Sequence, residues 1–164
     1  MTNNHRKILA IDPGTRVIGV ALLESDKIIY HDVKMIPKRQ SPQEALREGQ
    51  KIIARLIKDF RPQILAVEKT YFANDRNGEL LNTFTTEIGA LGRRKGLSVV
   101  TYAPNTVRKF VCGNGRAGKE EVARAVALRY PELKVYLTQD RKWKATYHRN
   151  RFDAIALGMM VAQL

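Results

Sequence analysis

Lys7 to Val33 reads KILAIDPGTRVIGVALLESDKIIYHDV, and its pattern points to the fold. Lys7–Asp12 is a short apolar run that ends in a carboxylate and a Pro13-Gly14 turn, the signature of a buried strand. Val17–Leu23 and Lys27–Val33 read as two more strands. Their short polar connections predict an antiparallel meander.

Outward from the meander, Met35–Gln40 reads as a linker. Ser41-Pro42-Gln43-Glu44 is a capping box with proline at the first helical position. The helix it opens carries Leu46, Ile53, Leu56 and Ile57 on one side and stops near Arg61-Pro62. Ile64–Glu68 (ILAVE) is a fourth strand that also ends in a carboxylate. Asn74–Asn77 is a polar loop, followed by a helix to Lys95 that Gly96 stops. Leu97–Tyr102 is a fifth strand, Pro104–Cys112 a short helix, and Gly113–Gly118 (GNGRAG) a flexible basic loop whose Arg116 is a candidate DNA contact. Lys119–Tyr130 is helical, Pro131–Tyr147 irregular and polar. Phe152–Leu164 is an amphipathic last helix, with Phe152, Ile155, Ala156, Met159 and Met160 on one face. A meander followed by crossovers predicts an α/β fold: a five-stranded mixed sheet with helices on both faces. The ribonuclease-H-like fold is among those that fit this order.

The length of 164 residues fits one domain, spanning 1–164, better than two. No apolar run approaches the roughly 20 residues of a membrane span, and the polar Met1–Lys7 is not expected to be a signal peptide. The single Cys112 excludes an internal disulfide and points to a reducing, cytoplasmic compartment. Lys plus Arg number 29 against 16 Asp plus Glu, a net charge of +13 that favours a polyanionic partner such as nucleic acid.

Asp12 and Glu68 close apolar strands, where a carboxylate is costly unless paired or bound to a metal. Asp153 stands one residue into the last predicted helix. If it projects toward the two strand ends, three carboxylates converge. Oxygen ligands of this kind suit Mg²⁺ or Mn²⁺, and a pair of such ions clamps both oxygens of a phosphodiester displacement. Each acid also has a plainer reading: Asp12 as a turn residue, Glu68 as a lysine's partner, Asp153 as a helix N-terminal acid favoured by the dipole.

The segment Ile8–Val20 (ILAIDPGTRVIGV) resembles the N-terminal motif of the RuvC-type Holliday-junction resolvases. The resemblance continues through Ile64–Phe72 (ILAVEKTYF), Tyr102–Lys119 (YAPNTVRKFVCGNGRAGK) and Phe152–Leu157 (FDAIAL), in the expected order. It implies a ribonuclease-H-like homodimer that makes paired nicks in a four-way DNA junction with Mg²⁺ or Mn²⁺, two ions per active site. Asp12, Glu68 and Asp153 match the family's acidic ligands. Lys119 matches a basic position close to the scissile phosphate, Arg108 another basic position, and Tyr71 an aromatic near the junction centre. The implied reaction is hydrolysis, with an in-line water attack on phosphorus.

One position departs from the pattern. The family has an acid or histidine three residues before the last aspartate, where this chain has Asn150. An amide oxygen can ligate Mg²⁺ but brings no charge. His148 is an alternative ligand or base if the helix starts late. His5 and His31 have no ligand partner at a telling spacing, and no basic tail is expected past the last helix. The departure leaves open a non-cleaving junction binder. An actin-like ATPase fragment is more remote: Asp12–Thr15 fits its phosphate turn, but the second phosphate loop and the adenosine motif do not follow. The second helix carries Leu80, Leu81, Phe84, Ile88 and Leu91, which serve either the core alone or the core and a partner subunit.

Overall fold

The computed structural model describes residues 5–38, 41–69, 76–137 and 142–164. β1 (Lys7–Asp12), β2 (Val17–Glu24) and β3 (Lys27–Met35) form the antiparallel meander. The crossover through α1 (Pro42–Phe60) brings β4 (Ile64–Glu68) parallel to β1. The crossover through α2 (Arg76–Arg94) brings β5 (Ser98–Tyr102) parallel to β4. The sheet order is β3-β2-β1-β4-β5. The two strands that end in Asp12 and Glu68 are therefore central, adjacent and parallel, and their carboxylates emerge at the same edge.

Each face of the sheet carries its own core. Alternate residues Leu9, Ile11, Val20, Leu22, Leu65 and Val67 pack against α1 and α2, with Phe84 and Ile88 fully buried among them. Ile8, Ala10, Ala21, Leu23 and Ala66 face the other way. They pack under α3 (Pro104–Cys112), α4 (Lys119–Arg129), a 3₁₀ turn over Pro131–Tyr136 and α5 (Lys142–Ala162). Period-2 strands buried on both faces give the near-continuous apolar runs seen in the sequence.

The local signals act as their chemistry predicts. Ser41 Oγ accepts from the Glu44 N–H at 3.3 Å, and Glu44 accepts from the Ser41 N–H at 3.2 Å, closing the capping box. Arg61 ends α1 in a left-handed conformation. Gly14 is required in the β1–β2 turn, because a Cβ there would stand 2.2 Å from the Val17 carbonyl oxygen.

Two expectations change, and one open alternative narrows. The last helix begins at Lys142, ten residues before the predicted Phe152, because the polar stretch before it is also helical. Lys and Arg are good helix formers, and no Gly or Pro interrupts residues 142–157. Asp153 is consequently mid-helix, so the helix-terminus reading of its charge does not hold. Nor is α5 amphipathic over its later turns: residues 151–158 are all buried. The element is sandwiched between the sheet and α4 rather than laid on a surface. On α2, Leu81, Phe84, Ile88 and Leu91 are all buried in the core and Leu80 is half-buried, so its apolar residues are spent mainly within the subunit.

Candidate active site

At the shared edge of β1 and β4 lies an open cleft of about 640 Å³. Its floor includes Asp12, Glu68 and Asp153, and Asn150 lies one helical turn before Asp153. Arg108 from α3 and Lys119 from the first turn of α4 also line it, as does the turn from Pro13 to Val17. Backbone topology explains the convergence. Two parallel strands deliver two acids to one edge, and α5 crosses β2 and β1 to deliver the third.

The three carboxylates are among the few buried charged groups, at 6%, 7% and 9% exposure for Asp12, Glu68 and Asp153. Burial pushes all three pKa values up. For Asp12 the charges of Glu68 and Asp153 add to burial and carry it well above the ordinary aspartate range. Glu68 reaches about 7, from burial first and the Asp153 charge second. Asp153 is raised by burial and partly brought back by Lys119 and Arg108. Lys119 Nζ stands 3.6 Å from Asp153 Oδ2, with its side chain about half exposed toward the cleft.

Among the described residues, no three Asp, Glu, His or Cys side chains are grouped tightly enough to hold a metal ion as they stand. The three acids share one cleft and one another's electric field, in an open arrangement. Their chemistry is nonetheless that of a hard-cation site: anionic, oxygen-only and largely desolvated. A cation among them offsets the like-charge repulsion that raises Asp12 and Glu68.

The other expected site residues divide. Asn150 lines the cleft beside Asp153. His148 does not: α5 has already begun by this point, and the His148 ring packs on Tyr136 with centroids 4.8 Å apart. Arg116 is exposed in the loop before α4 and is outside the cleft lining, its backbone N–H donating to Asn114 Oδ1 at 2.9 Å. Tyr71 lies outside the described residues.

Sequence reasoning missed Arg151. This guanidinium is buried, at 7% exposure, on α5 between Asn150 and Asp153. It donates to His31 Nδ1 on β3, approaches the His31 carbonyl at 3.4 Å and lies 4.3 Å from the centroid of the Tyr136 ring. Burial, and then the Arg151 charge, hold His31 below its usual pKa, which keeps the ring nitrogen available as an acceptor. The contact pins the helix that carries Asn150 and Asp153 to β3. An isolated Arg in a polar stretch gives no local sign of this.

Comparison with known proteins agrees with the fold. The family model for crossover junction endodeoxyribonuclease RuvC matches residues 8–138, a span that contains Asp12, Glu68, Arg108 and Lys119. The crossover junction endodeoxyribonuclease RuvC of Bradyrhizobium sp. is 33% identical over 168 residues, covering 96% of this chain and 94% of its own. That of Nitrobacter hamburgensis is 30% identical over 172 residues, covering 99% of each. T. thermophilus RuvC, solved in complex with a Holliday junction substrate, shares the fold with a TM-score of 0.72 at 20% identity, over 96% of this chain and 98% of that one. The chain belongs to the RuvC family of crossover junction endodeoxyribonucleases.

Proposed function

We propose that this chain resolves four-way DNA junctions by divalent-metal-dependent hydrolysis, with Asp12, Glu68 and Asp153 as the ligands. One observation carries the reading: three buried carboxylates from β1, β4 and α5 line one cleft, with Lys119 and Arg108 beside them. The family's nucleases depend on a divalent ion. The finer assignment proposed here is Mg²⁺ or Mn²⁺, two per active site. Such ions supply Lewis acidity and a nucleophilic water at neutral pH.

The chain's own residues supply the rest. Asp12 and Glu68 stand at the ends of adjacent parallel strands, which fixes their backbones side by side at one edge of the sheet. At neutral pH Glu68 retains part of a proton, which cation binding displaces. The Lys119 ammonium, already beside Asp153, is placed to offset negative charge on a phosphate entering the cleft. Arg108 acts from the α3 wall in the same sense. The amide oxygen of Asn150 is a neutral fourth donor.

A junction has paired strands to cut, so an isologous homodimer is the matching assembly. The net charge of +13 suits DNA, and the natural location is a reducing, DNA-containing compartment such as the cytoplasm. No helix of the described residues is long and apolar enough to cross a membrane. Family membership favours an enzyme over the non-cleaving binder that Asn150, which lines the cleft, had left open. A nicking assay on an end-labelled four-way junction, with and without divalent metal, tests the reading. Paired metal-dependent nicks lost in Asp12→Asn are expected. Metal-dependent nicks that survive in pure Asp12→Asn protein overturn the site.

A further inference from the structure

Arg16 lies on the turn between β1 and β2 and lines the same cleft as the three carboxylates. Its role differs from that of the other cleft cations. Lys119 is ion-paired with Asp153, and Arg108 bears on the ionisation of Glu68 and Asp153. Arg16 is held differently, on the turn itself. Among the described residues its exposed guanidinium makes no hydrogen bond or ion pair.

Its backbone, by contrast, is fixed. The Arg16 carbonyl accepts from the Ile36 N–H at 2.8 Å, which ties the turn to the end of β3. Gly14 closes the turn against the Val17 carbonyl. The sheet order then places Arg16 relative to the other cations. β2 and β5 flank the β1–β4 pair on opposite sides. Arg16 rises from the β2 side, and Arg108 sits on α3, directly after β5. The cleft has an acidic floor with a cation on each flank.

We infer that Arg16 grips a backbone phosphate next to the scissile one, on the side of the cleft away from α3. A DNA strand crossing the floor presents successive phosphates along its length, and the one beside Lys119 accounts for only one of them. A guanidinium with no partner among the described residues, anchored at its Cα and facing the cleft, suits a neighbouring phosphate, which it can grip with two parallel hydrogen bonds. Such a contact sets register and affinity without reading sequence. This inference rests on the cleft being the DNA site.

The test measures binding separately from cleavage. Full-length wild type, Arg16→Ala and Arg16→Lys are titrated with a four-way DNA junction in EDTA across a salt series, and single-turnover cleavage is measured at saturating protein. Arg16→Ala is expected to weaken binding about tenfold and to make the log–log salt dependence shallower by about one unit per engaged subunit. Its rate at saturation stays within about twofold of wild type, and Arg16→Lys recovers most of the affinity. Junctions with single methylphosphonates around the cut locate the contact. At one flanking position wild type loses affinity and Arg16→Ala loses nothing further. Unchanged affinity and slope in Arg16→Ala overturn the proposal, as do equal methylphosphonate losses for both proteins at every position. So does intact binding with a collapsed saturating rate. Asp12→Asn, run in parallel, reports on the metal-site reading by cleavage alone, so failure of that reading is seen separately.

Discussion

Gly19 of β2 lies directly beneath the backbone of Asn150 on α5: a Cβ at residue 19 would stand 2.0 Å from the Asn150 carbonyl oxygen and 2.6 Å from its carbonyl carbon. Gly19 is also the strand partner of Asp12. One missing side chain therefore sets how closely the helix bearing Asn150 and Asp153 approaches the strand bearing Asp12. The obstacle is backbone, so no side-chain rotation relieves it.

Gly19→Ala should accordingly lift α5 from the sheet. The expected cost is about 1–3 kcal/mol, as for overpacking a tight core. Cleavage should fall more than junction binding, since the acids separate while the basic surface remains. Thermal melts and single-turnover cleavage check this. A variant with wild-type melting and rate would show that the approach has no bearing on the site.

Asp12→Asn should abolish cleavage and leave junction affinity within about twofold, because affinity comes mainly from cations on phosphate. It should not lower the melting temperature of the metal-free protein. Asp12 is a buried carboxylate repelled by Glu68 and Asp153, and the amide removes that repulsion while keeping the shape. A clear loss of stability would mean that Asp12 is a structural partner.

The raised pKa of Glu68 has a definite sign in stability. A carboxyl whose folded pKa exceeds its unfolded value contributes stability below the unfolded value and loses it as pH rises through the folded one. For Glu68 that window runs from 4.5 to about 7. Asp12 and Asp153, also raised, act in the same direction and His31, with a lowered pKa, in the opposite one; Glu68→Gln removes the Glu68 contribution together with its repulsion of Asp12. In EDTA, the melting-temperature advantage of Glu68→Gln over wild type should be near zero at the bottom of the window and greatest above it, by a few degrees at most. A pH-independent difference would show that Glu68 is not strained by its charge.

Asn150→Asp should lower the divalent-metal concentration for half-maximal cleavage and raise the rate, because a carboxylate binds a hard cation more tightly than an amide does. His148→Ala should matter less than Asp153→Asn, since the His148 ring packs on Tyr136 and does not line the cleft. Unchanged metal dependence in Asn150→Asp, with cleavage lost in His148→Ala, would reverse the two assignments.

The strand meander, the capped first helix and the placement of Asp12 and Glu68 at strand ends were all legible in the sequence, because they rest on short-range rules. Alternating burial marks strands, Ser41 and Glu44 mark a helix start, and an acid after an apolar run marks a strand end. Tertiary structure decided what those rules do not reach. The polar residues before Phe152 looked irregular, yet they begin α5, and this moved Asp153 from a helix end to its middle. Arg151 became a buried anchor only because His31, distant in sequence, and Tyr136 surround it. Gly19 reads as an ordinary strand residue until α5 is laid across it. The contacts of Arg151 with His31 and of Gly19 with Asn150 each join segments more than a hundred residues apart, and local periodicity carries no information about such contacts.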